Sequence, residues 1–342
     1  MRIACVSYPM FLDYWGGLEI QVRETVAHLE RAGLDIHWID PTVEYLADFD
    51  LVHVFSAENH KIVKYVRTEG KPIVLSSVLQ SHWSMWDNLA ASLCTEVTAK
   101  LTHWQVSTSY QQIRATVSTA DHIIALGKAE KRTLIKRYGQ AAKKISIIPN
   151  GVSEQFFESS PEPFRAEQGI DGPFVLCAGD ISDYKNQIAV VRATAPIGLP
   201  IVLLGTCVEA QNAYLKRCIT EGNGRVHYLG RLEHDDPILA SAFAAASVLV
   251  LPSKGEVMPL SVLEALAAGT PVVITKNHSL DIEPCPPVFS EVERSNVRAI
   301  TRVIDDVLRS PVDPARCRAL VKSYRWKRIV EPIIEIYRQY AV

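Results

Sequence analysis

Along the chain, short apolar runs alternate with longer stretches in which apolar residues recur every three to four positions. The short runs fall at positions 2–7, 35–39, 51–55, 72–75, 122–125 and 145–148, and again at 174–178, 200–204, 226–229, 248–251 and 271–274. Each is too brief for a helix, and most are too continuously apolar for a strand with one wet face. They therefore predict strands buried on both sides. Helical spacing occupies residues 19–32, 128–138, 187–194, 210–221, 237–245 and 260–268. Strand and helix in regular alternation predict the α/β class, with parallel, doubly wound sheets.

The alternation breaks at residues 158–173, where Ser159, Ser160, Pro161, Pro163, Gly169, Gly172 and Pro173 cluster. That composition predicts a linker between a first domain, 1–157, and a second, 174–317. The remaining segment, 318–342, reads as one helix with a kink at Pro332. A chain of 342 residues, 48% hydrophobic, is long enough to build both cores. Two such domains facing each other would offer a ligand cleft at the carboxyl ends of their strands.

The formal net charge of -2 supplies no basic excess, so a nucleic-acid partner is not expected. Seven cysteines without a C-x-x-C pair argue against a disulfide framework and against a structural zinc site. They fit small buried residues in a reducing cytosol. The first residues are strand-like rather than leader-like, and no run approaches the roughly 20 apolar residues of a membrane span. A cytoplasmic protein is expected, with any membrane contact made peripherally from the cytosolic face.

The most informative stretch runs from Ser253 to Val273, where Glu256 and Glu264 are separated by seven residues and Pro259 and Leu260 open a helix between them. Unpaired N–H groups at such a helix start suit an anionic phosphate. A carboxylate one turn further on can accept two ribose hydroxyls, and one in the preceding loop can hold the hydroxyls of a sugar ring. Read alone, the two acids fit equally well as favourable charges at a helix N-terminus. Near the start, Gly16-Gly17 lies where a strand turns into a helix, and glycines there let backbone amides approach a ligand closely.

With its Gly269-Thr-Pro-Val-Val273 continuation, the E-x7-E stretch resembles the signature of the retaining family-4 glycosyltransferases of GT-B fold. The resemblance covers nearly the whole chain. Gly16-Gly17-Leu-Glu19 is similar to the family's glycine loop, Asp50-Leu-Val-His53 to its D-V-V-H strand, and Ala120-Asp121 with Pro149-Asn150-Gly151 to its end-of-domain pattern. Val226 to Arg231 resembles the loop facing the nucleotide base, and Tyr324-Arg-Trp326 with Tyr337 resembles the helix that crosses back to the first domain. The resemblance implies a nucleotide-sugar donor, UDP- or GDP-linked, held mainly by the second domain. It implies that Glu264 holds the ribose, Glu256 the transferred hexose, and Met258, Pro259 and Leu260 the diphosphate. It further implies that Lys185 neutralises the leaving diphosphate and that Gly16, Gly17, Gly230 and Arg231 line the donor. The acceptor would be a glycan, a lipid-linked glycan or a small molecule, as in polysaccharide or glycoconjugate biosynthesis.

No D-x-D cluster is present in a position that suggests a metal, so a metal-independent reaction without a cofactor is expected. Two departures stand out. Asp180 follows Gly179 where the family has an arginine, with Arg231 as a substitute cation to consider. The family's sugar-proximal histidine has no direct counterpart after residue 75, where His82 is either displaced into that role or an ordinary loop histidine. Asp180 also sustains a second reading, a non-catalytic GT-B protein that binds a glycan or a partner. The segment 79–119, with Trp83, Trp86 and Trp104, fits a sugar-stacking acceptor surface or an amphipathic helix packed on the first domain.

Overall fold

The computed structural model describes residues 1–7, 16–39, 45–79 and 108–341. The chain forms two compact units, one of Met1–Gly151, Ser279–Asp281 and Trp326–Val342, the other of Val152–His278 and Ile282–Arg325.

In the first unit six parallel strands, β1 (Arg2–Val6), β2 (Asp35–Trp38), β3 (Leu51–Phe55), β4 (Ile73–Ser76), β5 (His122–Ala125) and β6 (Ile145–Ile147), lie in the order β2-β1-β3-β4-β5-β6. Helices α1 (Gly17–Arg31), α2 (His60–Thr68), α3 (Ser109–Thr119) and α4 (Lys128–Lys136) flank the sheet. Successive strand residues point to opposite faces, which explains why the inner strands are almost wholly apolar. Ile3, Cys5, Leu51 and Phe55 pack with Val22, Val26 and Leu29 of α1, while Ala4, Val6, Val52 and Val54 build the other core with Val63, Val66 and Val117.

The helix Trp326–Tyr340 completes the α1 side by burying Trp326, Ile329, Val330, Ile333, Ile336 and Tyr337. At about 1.5–3 kcal/mol for each such side chain, this burial is worth on the order of 10 kcal/mol before entropy is counted. Pro332, inside that helix, costs about 3 kcal/mol, so the docked helix tolerates it. Buried His53 joins the layers, with Nδ1 hydrogen-bonded to the Tyr337 hydroxyl and Nε2 2.9 Å from Ser76 Oγ.

The second unit holds β7 (Val175–Ala178), β8 (Ile201–Leu204), β9 (Val226–Gly230), β10 (Val248–Leu251), β11 (Val272–Thr275) and β12 (Phe289–Val292). All are parallel, in the order β12-β11-β10-β7-β8-β9. Helices α5 (Glu154–Glu158) and α6 (Glu162–Gln168) precede them in the chain. Helices α7 (Gln187–Thr194), α8 (Asn212–Gly222), α9 (Pro237–Ala245) and α10 (Leu260–Ala268) connect the strands from β7 to β11. The order reverses between β7 and β10, so the loops that follow those two strands border a topological switch point, where open α/β sheets bind ligands. Strand β12 is not foreseen by the apolar pattern, because Ser290 and Glu291 interrupt it.

The stretch 158–173, expected as a linker, instead lies within the second unit, and the chain passes between units at Gly151–Val152. Helices α5 and α6 occupy this region, with Phe156 and Phe164 fully buried. Ser241 Oγ donates to the Ser160 carbonyl (2.6 Å) and accepts from the Phe164 amide (2.9 Å). Pro163 in the first turn of α6 and Gly169 at its left-handed C-cap (φ 64°) are helix boundary signals, which accounts for the linker-like composition. The final segment likewise divides. Pro314–Val321 is a helix of the second unit, started by Asp313 capping the Ala315 amide at 2.9 Å, and only the chain from Trp326 belongs to the first. Among the described residues no helix is long and apolar enough to cross a membrane.

Candidate active site

The site is built on strand ends of the second unit. Gly179 follows β7 and Gly205 follows β8, with φ of 145° and 143°. The Gly179 amide donates to Leu204 O, and the Gly205 amide donates to Gly230 O at the end of β9, each at 2.8 Å. A Cβ on Gly205 would lie 2.2 Å from the Gly179 carbonyl oxygen, so only glycine permits this stacking of loops. The Tyr228 hydroxyl secures Gly205 O at 3.1 Å.

Lys185 sits in the loop between β7 and α7. Its neighbours fasten that loop to the one after β10. Tyr184 donates from its hydroxyl to Gly255 O (2.8 Å), and its own carbonyl accepts from the Lys254 amide (2.8 Å). Asn186, in the left-handed region at φ 61°, donates to Pro252 O (3.1 Å) and Arg294 O (3.0 Å). On the other side, the Glu256 amide donates to Asn277 O at 2.8 Å and Asn277 Nδ2 to Lys254 O at 2.6 Å. These ties bring Lys185 Nζ to 2.7 Å from Glu256 Oε1, with the two side chains 22% and 9% exposed. A cation and a carboxylate from opposite sides of the switch point thus meet in a partly dried environment. Beside them, Ser253 Oγ is buried and makes no hydrogen bond among the described residues.

Past Glu256, Met258 and Leu260 are buried and Pro259 caps α10 without a side-chain hydrogen bond to its first amides. That helix start carries the partial positive charge and N–H donors that an anion requires. Glu264, one turn on and 6% exposed, has its Oε1 2.9 Å from His234 Nε2. Arg231 is engaged with Glu233, Nη2 to Oε2 at 2.6 Å.

In the first unit, Gly16 is the N-cap of α1 in an extended conformation (φ −126°, ψ −178°) and Gly17 its first residue. Neither backbone torsion demands glycine, and a Cβ on Gly17 would meet nothing within 4 Å. The open backbone there is compatible with close approach by a ligand. Glu19, 4% exposed, accepts from Arg23 Nε at 2.6 Å through Oε1. Buried Glu130 ties three points together, accepting from Ser77 Oγ (2.6 Å), the Leu79 amide (2.7 Å) and the Leu126 amide (2.7 Å). Burial pushes its carboxyl above the ordinary range, against those hydrogen bonds.

Residues 43–156 match the family profile described as Glycosyltransferase Family 4, and residues 172–284 that of Glycosyl transferases group 1. Each profile covers about a third of the chain, and together they support a glycosyltransferase of family-4 type. This family-4-type chain is 27% identical over 265 residues to the D-inositol 3-phosphate glycosyltransferase of Kineococcus radiotolerans, across 65% of this chain and 58% of that protein. Over 170 residues it is 33% identical to the protein of the same name from an Arthrobacter species, covering 47% and 40% of the two chains. The matches therefore span less than two thirds of these relatives' length. Among solved structures, sucrose-phosphate synthase from Thermosynechococcus elongatus superimposes with a TM-score of 0.77 at 19% identity, over 99% of both chains. Anabaena HepE in complex with UDP gives 0.74 at 17% identity, over 99% of this chain and 100% of that one. These likenesses establish the fold as GT-B.

In this family-4-type chain, Lys185 and Glu256 are in direct contact, while Met258, Pro259, Leu260 and Glu264 follow on one continuous loop and helix. Gly230 joins the group through Gly205, whereas Arg231 points its guanidinium to Glu233. His82, Trp83, Trp86 and Trp104 lie outside the described residues. Sequence reasoning missed His234 and Glu130. His234 stands in an acidic loop with no motif spacing to mark it, and the partners of Glu130 at residues 77 and 79 are remote in sequence.

Proposed function

We propose that this chain transfers a hexose from a nucleoside-diphosphate sugar to a hydroxyl acceptor, with retention at the anomeric carbon. The contact of Lys185 with Glu256 at the β7/β10 switch point carries the reading, together with an anion-ready helix start and Glu264 one turn beyond it. In this reading the ribose hydroxyls hydrogen-bond Glu264 and the diphosphate meets the first amides of α10 and Lys185. Glu256 takes hydroxyls of the transferred sugar. As the bond from the anomeric carbon to the phosphate oxygen breaks, negative charge grows on the leaving diphosphate, where Lys185 stabilises it more than in the ground state. The acceptor oxygen bonds to the same face of that carbon, and its proton passes to the leaving phosphate oxygen. No separate protein base and no metal ion enter these steps.

UDP is the first donor nucleotide to test, because HepE, of like fold, binds UDP and, in a second structure, UDP and glucose. GDP is the alternative. The acceptor is a glycan, a lipid-linked glycan or a small molecule, and the inositol phosphate named for the relatives is a suitable small-molecule probe. Calorimetric titration with UDP and GDP in parallel, on the protein and on Glu264→Ala, tests the reading. One nucleotide should bind, and the variant should lose it. Binding of neither at millimolar concentration would refute the donor site.

A further inference from the structure

We infer that His234 is a positioning residue for the nucleotide ribose, acting through Glu264. This rests on the donor site proposed above and goes beyond it, because His234 belongs to no motif of that site. Its Nε2 lies 2.9 Å from Glu264 Oε1, and the side chains of the pair are 16% and 7% exposed. The Glu264 carboxylate makes no other hydrogen bond or ion pair among the described residues. One carboxylate oxygen is thus held by the imidazole, and the other is left to a ligand.

The loop that carries the imidazole is itself held, and the ring packs against a phenylalanine. Gln155 Nε2 donates to the His234 carbonyl at 2.5 Å, and the Phe156 ring lies 5.6 Å from the His234 ring at 45°. Phe156 is in turn set edge-on against Phe243, at 5.6 Å and 83°. Helix α5 therefore fixes the loop that fixes the carboxylate. For Nε2 to donate to an ionised carboxylate it must carry a hydrogen, which a neutral ring does only as the Nε2–H tautomer.

The consequence is geometric. A glutamate side chain has several rotatable bonds, and a ribose needs its carboxylate at one position and one tilt. Holding Oε1 leaves Oε2 aimed, so the entropy of ordering Glu264 is paid on folding rather than on binding. Without His234 the carboxylate would still be present but would wander, and the site would lose the hydroxyl recognition specifically.

The test uses the full chain and compares UDP or GDP, whichever binds, with its 2′-deoxy and 3′-deoxy analogues. His234→Leu keeps the volume without a donor, and His234→Gln keeps an amide N–H near the position of Nε2. Thermal unfolding of each variant checks that it is folded. The expected result for His234→Leu is about tenfold weaker binding of the ribonucleotide with deoxynucleotide affinity unchanged, so that the preference collapses. His234→Gln should restore most of it, and His234→Leu should have no added effect in a Glu264→Ala background. An unchanged ribo-to-deoxy ratio in His234→Leu overturns the inference, as does equal weakening of all three ligands. If the unaltered protein binds no nucleotide, the donor site fails and the inference fails with it. If it binds and Glu264→Ala alone loses the preference, only the role of His234 is overturned.

Discussion

His53 offers a prediction whose size follows directly from its surroundings. It is fully buried in β3, between the Tyr337 hydroxyl and Ser76 Oγ, and burial lowers its pKa from 6.5 to about 3. In the unfolded chain the ring takes up a proton near pH 6.5, while in the folded chain it stays neutral until about pH 3. Between those values the unfolded state binds more protons, so stability rises with pH and is lost as pH falls. Each pH unit is worth about 1.4 kcal/mol, giving a loss of about 2 kcal/mol from pH 7 to pH 5. His122 on β5 titrates in the same direction, its pKa lowered by burial and then by Lys131 and Lys144. It remains in place when His53 is changed, so its contribution cancels in a comparison.

The perturbation is His53→Gln, which removes the titration but keeps an amide to face Tyr337 and Ser76. Amide hydrogen exchange of peptides spanning β3 and the Trp326–Tyr340 helix, corrected for intrinsic rates, reports on the first unit alone. The unaltered protein should lose about 2 kcal/mol more protection than the variant between pH 7 and pH 5. Equal losses in the two proteins would show that His53 is protonated in the fold, or that its burial is not the source of the acid sensitivity.

Two further expectations concern the site. Lys185→Ala should lower kcat for donor turnover by about 10²–10³, the usual cost of removing a charge-stabilising group, with retained folding checked by circular dichroism. It also strands Glu256, so Lys185→Ala/Glu256→Gln should recover stability without recovering turnover. Gly205→Ala forces a Cβ against the Gly179 carbonyl in a torsion unsuited to alanine, and should cost about 2 kcal/mol or more by denaturant unfolding. Because the strain falls on the loop leading to Lys185, the same variant should bind nucleotide more weakly. Wild-type affinity there would mean that the stacked glycines do not position the site.

Sequence by itself determined the inner strands and the fold class, because a strand buried on both faces must be apolar at every position, as at Val175–Ala178 and Val248–Leu251. It also determined the run from Glu256 to Glu264, since a loop and the helix it enters are local, and local spacing survives folding. It could not mark β12, whose apolar run is broken by polar residues and which is a strand only because β11 offers its edge. Serine and proline at 158–173 have the composition of a linker, and what makes them part of a packed unit is Ser241. That residue holds the turn between two helices from 77 and 81 positions away. Tertiary structure alone decided the pairings that make the site. Lys185 meets Glu256 across 71 positions and His234 meets Glu264 across 30, each because parallel strand order brings distant loops to one end of the sheet. Such contacts depend on which strands become neighbours, and that is a property of the whole sheet rather than of any window along the chain.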